Sequence, residues 1–94
     1  MRIFILTLSL SCFALLSNAQ NTAYGTNALA NLTSGTNNAA FGEAALYSNT
    51  TGGLNTGIGV YALYANTGGA HNTAVGGNAL ITNTTGGHNT GVGS

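Results

Sequence analysis

Two histidines, His71 and His88, stand seventeen residues apart. In a chain that repeats at this interval, such a pair is carried to one face, about one strand spacing apart, where two imidazoles can begin a metal site. A closed site needs further donors, and the same column holds Asn37 and Leu54. The histidines therefore read as polar turn residues, and no metal is assigned to them. Glu43 is the only acidic residue, in a column that elsewhere holds Thr26, Val60, Gly77 and Ser94. Acid–base or nucleophilic catalysis needs a second group to orient or activate the first. After the N-terminal segment no lysine, arginine, aspartate or cysteine is present to do so. Calcium of the nonapeptide β-roll type needs an aspartate in each turn. The reading is a non-enzymatic chain with no catalytic, cofactor-binding or metal residues, and no cofactor.

Amides and hydroxyls are abundant, and their spacing assigns them to structure. Asn21, Asn38, Asn55, Asn72 and Asn89 are spaced seventeen apart without exception. Stacked coil on coil, such amides bond one another along the axis, and asparagine also tolerates left-handed turns. Thr33, Thr50, Thr67 and Thr84 form one threonine column, and Thr22, Thr56, Thr73 and Thr90 another. A regular hydroxyl rank on a flat face could order water, so an ice-binding solenoid is a minor alternative. Threonine is equally suited to any solvent-facing strand. The sequons at Asn31, Asn49 and Asn83 are by-products of the repeat.

The elements that position these residues follow from the same period. Gly25, Gly42, Gly59, Gly76 and Gly93 share the fifth place of the unit, Ala28, Ala45, Ala62 and Ala79 the eighth, and Leu29, Leu46, Leu63 and Leu80 the ninth. The fourth place holds Tyr24, Phe41, Ile58, Val75 and Val92, which suit a pleated, half-buried surface and are expected to share the core with the leucines. Asn-Thr-Ala-Val-Gly and its equivalents predict a strand of about five residues ended by glycine. The Ala-Leu stretch predicts either a second strand or one helical turn, and Asn-Thr-Thr-Gly-Gly is turn chemistry. Units of this size bury their apolar positions only against their neighbours. The expected fold is all-β, a parallel β-solenoid or β-roll of 17-residue repeats. Four repeats are complete (21–37, 38–54, 55–71 and 72–88), and a truncated fifth covers 89–94.

A different segment precedes the repeats. Met1-Arg2, an apolar run from Ile3 to Leu16 and Ser17-Asn18-Ala19 have the layout of a secretory signal peptide over 1–19, with cleavage before Gln20. The run is too short for a spanning helix, which needs about 20 residues. Cys12, the sole cysteine, lies inside it, and the residues around it fit lipoprotein processing poorly. The expectation is export, to the extracellular space or a bacterial cell surface, with no membrane insertion by the mature chain. Net charge is zero, from one basic and one acidic residue. Nucleic-acid binding needs a basic face, so it is excluded. Lack of charge and of proline removes the usual guards against edge-to-edge pairing, so a self-associating chain is expected.

The units beginning at Asn55 and Asn72, Asn72-Thr73-Ala74-Val75-Gly76-Gly77-Asn78-Ala79-Leu80 above all, resemble the head repeats of trimeric autotransporter adhesins. They are also similar to related bacterial surface and tail-fibre-like proteins that carry an endosialidase-type chaperone. The resemblance covers residues 21–94. It implies a β-roll that trimerises side by side, and a role in adhesion or presentation at the cell surface, with host or surface ligands met through a longer parent protein. No stalk of heptads, membrane barrel or chaperone follows before Ser94, so the chain reads as the N-terminal part of a longer protein or a truncated gene copy. The alternative function is a self-assembling fibre subunit of functional-amyloid type, although Gln20 is the only glutamine.

Overall fold

The computed structural model describes residues 20–94. The signal-peptide reading of 1–19, with Cys12, lies outside the described residues. Five three-residue strands, β1 (Thr22–Tyr24), β2 (Ala39–Phe41), β3 (Thr56–Ile58), β4 (Thr73–Val75) and β5 (Thr90–Val92), form one parallel sheet in chain order. Each residue pairs with the one seventeen further on, as Thr56 does with Thr73 and Ile58 with Val75. The molecule is thus a parallel β-solenoid with the predicted register. The strands are shorter than expected, because glycine at the fifth place turns the chain at φ 126–132 in the second to fourth coils.

Neither a second strand nor a helical turn follows. Gly59 and Tyr61 accept hydrogen bonds from the backbone N–H groups of Ala62 and Tyr64, closing two successive turns. The third residue of each turn, Tyr61 at φ 65 and Leu63 at φ 54, is left-handed, the pattern of type II turns. The alternation bends the chain tightly and sends Ala62 and Leu63 inward. The turn residues still bond along the axis. Leu63 donates its N–H to the Ala79 carbonyl at 3.0 Å, and Ala65 donates to that of Ile81 at 3.1 Å.

The core is narrow. It contains Leu29, Leu46 and Leu63, one leucine per coil, with Ala40, Ala45, Ala62, Ala74 and Ala79. Only alanine or glycine occupies the middle of each strand, because that position faces inward against the next alanine column. The expectation that the fourth place shares the core is corrected here. Side chains alternate across a three-residue strand, so an inward Ala40 or Ala74 sends its neighbours outward. Phe41 is 39% exposed, Ile58 42%, and Tyr24 and Val92 77% each.

Candidate functional site

Polar residues fill the part of the interior that leucine does not. Asn38, Asn49, Asn55, Asn66 and Asn72 are all buried. Within a coil, the glycine carbonyl at the fifteenth place accepts two amides. Gly52 accepts from Asn38 and Asn49, both at 2.9 Å, and Gly69 accepts from Asn55 at 2.7 Å and Asn66 at 3.0 Å. Between coils, the Asn38 side-chain oxygen accepts from the Asn55 backbone N–H at 3.0 Å, and that of Asn55 accepts from Asn72 at 3.0 Å. The second column continues separately, Asn66 donating to Asn49 at 2.7 Å and Asn83 to Asn66 at 2.9 Å. One amide ladder therefore runs from Asn21 to Asn89 and a second from Asn49 to Asn83, with donors and acceptors matched, which is what lets an amide be buried without penalty. The first coil departs from this by carrying Leu32 in place of the second ladder's asparagine.

The threonine column is also engaged. Thr50 presents one carbonyl to three successive backbone N–H groups, those of Thr33, Ser34 and Gly35, at 3.0–3.1 Å. The Thr33 hydroxyl donates to the same oxygen at 3.0 Å, and Thr50 and Thr67 repeat the contact at 3.4 Å. These hydroxyl protons bind protein, and water is left the lone pairs. On the sheet face the other threonine rank is broken at Ala39. Of the three sequons, Asn49 is buried and Asn83 is held in its ladder, leaving Asn31 exposed.

His71 and His88 are brought together as the spacing predicted. Their rings stack face to face, centroids 4.7 Å apart and planes within 5°. Imidazole binds a metal through a lone pair in the ring plane, at about 2.1 Å. Parallel stacked rings aim these lone pairs side by side, and they do not converge. Among the described residues no group of three or more His, Cys, Asp or Glu side chains gathers. Glu43 is exposed, and its backbone carbonyl accepts from Tyr61 at 2.9 Å.

Two surface features remain with chemical consequences. The first is the line of Tyr24, Phe41, Ile58, Val75 and Val92 on the outer face of the sheet, with Val60 adding exposed apolar surface beyond the glycine corner. The second is a cluster of Tyr47, Tyr61 and Tyr64. None of the three is singled out by the sequence reading above. The signal was present, since Tyr47 and Tyr64 share a column and Tyr61 precedes Tyr64 by one turn. No described helix is long and apolar enough to cross a membrane. Comparison with protein-family models, with curated proteins and with solved structures gives no match to this chain.

Proposed function

We propose that the chain is an exported, non-enzymatic structural and adhesive module of a cell-surface fibre, in which copies pack side by side, three around one axis. The observation that carries this is the outward apolar line from Tyr24 to Val92. Contiguous exposed apolar surface on a soluble chain marks an interaction face. Here it runs parallel to the solenoid axis, one residue per coil, so a second copy aligned along the axis meets it over its whole length. Repulsion does not oppose this, because the formal net charge is zero. The resemblance to adhesin heads supports the same lateral arrangement. A discrete catalytic role has no support in the titratable residues of the repeats.

A second reading has its own observation. The amide ladders and the threonine carbonyl contacts repeat almost unchanged between coils, so one coil is a template for another and copies can continue end to end. Thioflavin binding with a cross-β fibre pattern is the outcome expected of that arrangement. The export reading is tested by fractionating cells that express the full chain and weighing the product. Cleavage before Gln20 and exposure to added protease are expected. Retention of Met1 to Leu16 in an intracellular product contradicts it.

A further inference from the structure

The sixth and seventh places of the unit are polar or small in every coil but the third. Thr26-Asn27, Glu43-Ala44 and Gly77-Asn78 stand where coil three has Val60-Tyr61. The backbone does not ask for the change, because Tyr61 at φ 65 turns as Asn27 and Asn78 do at φ 62 and 64. Nor does the interior, since Val60 is 46% and Tyr61 40% exposed. Beyond the Gly59 corner the two carry apolar surface on from Ile58 to the half-buried Tyr64, whose ring lies 5.3 Å from that of Tyr61. Off the sheet line, the other large exposed apolar side chain among the described residues is Leu54, alone in a column of Asn37, His71 and His88.

The sheet line is too small to hold copies together by itself. Five three-residue strands, at about 3.3 Å per residue and about 4.8 Å apart, make a face of about 10 by 19 Å, on the order of 200 Å². A stable pair buries roughly 800 Å² on each partner, so the contact has to reach beyond the sheet. In a ring of three, every contact also joins one surface of a copy to a different surface of the next. The line needs a counterpart. We propose that the Val60–Tyr61 side of coil three is that counterpart, and that it receives the Phe41 and Ile58 line of a second copy. The inference rests on the lateral reading above and names the surface that completes it. Rotation about an axis parallel to the stack keeps each coil at its own height, so Ile58 of one copy meets Val60 and Tyr61 of the next. Coil three holds no lysine, arginine, aspartate or glutamate, so a charged partner finds nothing to pair with there, whereas the uncharged line of a second copy does match it. Glu43, one coil earlier in the Val60 column, is exposed and marks the edge of the patch.

The test is sedimentation equilibrium of the 20–94 chain beside its Val60→Thr, Tyr61→Asn double variant, which gives coil three the pair that coil one already carries as Thr26 and Asn27. The variant should keep the circular dichroism of the parent and need about tenfold or more protein to form trimers. Cross-linking then reads the contact directly, since no cysteine lies in 20–94. A mixture of Ile58→Cys and Val60→Cys chains is expected to be joined by a short thiol cross-linker, and Ile58→Cys chains alone are not. Trimers formed by the double variant as readily as by the parent overturn the inference and leave the lateral reading standing. Ile58→Cys chains that join one another as well as the mixture does also overturn it, since line then meets line. A parent chain that stays monomeric overturns both.

Discussion

At Gly59, φ is 132 and an added Cβ would lie 2.6 Å from the Gly76 carbonyl oxygen. Both facts forbid a side chain, the first because L-residues avoid this region and the second because the obstacle is backbone of the next coil. Gly59→Val should therefore destabilise by about 3 kcal/mol or more, whereas Glu43→Gln, at an exposed variable position, should stay within about 0.5 kcal/mol. Thermal unfolding of the two variants distinguishes them, and equal midpoints contradict the stacked register. The left-handed places tolerate more. Leu54 has φ 58 and is 51% exposed, and the same column holds Asn37. Leu54→Asn removes backbone strain with little loss of packing, so a gain of about 0.5–1 kcal/mol in denaturant unfolding is expected. A loss would show that Leu54 is covered by another molecule.

The coil is the unit in which the core is assembled, and its thinness decides what each residue contributes. Leu63 is fully buried between Leu46 and the partly buried Leu80. Leu63→Ala should cost about 3 kcal/mol, and the loss should spread to both neighbouring coils, seen as lowered amide-exchange protection from coil two to coil four. Confinement of the loss to coil three contradicts coil-to-coil coupling. The period and register were legible in the sequence because the glycine at the fifth place and the leucine at the ninth recur without insertion. The turn was not, since Ala-Leu favours helix or strand by propensity and only the glycine columns and tight closure impose left-handed Tyr61 and Leu63. The direction of the fourth place was misread for a related reason. Size suggested burial for Phe41 and Ile58, but the interior accepts only Ala40 or Gly57 at the strand centre, and alternation then turns the larger neighbours out. The column of Asn38, Asn55 and Asn72 was read as a structural ladder, but the second column, Asn49 and Asn66, was not, and the burial of both was hidden by polarity and appears only once Gly52 and Gly69 supply matched carbonyls.

For the molecule as a whole, a core of one leucine and two small residues per coil leaves the largest apolar side chains outside. Stability then depends on what covers the outward line of the sheet, at about 25 cal/mol per Å² of apolar surface removed from water. In the proposed fibre, lateral packing of copies would provide that cover. A lysine on this line puts a solvated charge at the contact without touching the interior, because Phe41 and Ile58 are exposed and their strand bonds are made by backbone. Sedimentation equilibrium of the 20–94 chain beside its Phe41→Lys, Ile58→Lys double variant, at micromolar concentration and with circular dichroism on the same samples, tests the central claim most directly. The account predicts trimers for the parent chain and β-structured monomers, of lower thermal midpoint, for the variant. A parent chain that sediments as a sharp monomer and unfolds cooperatively, or a variant that associates as the parent does, would contradict it.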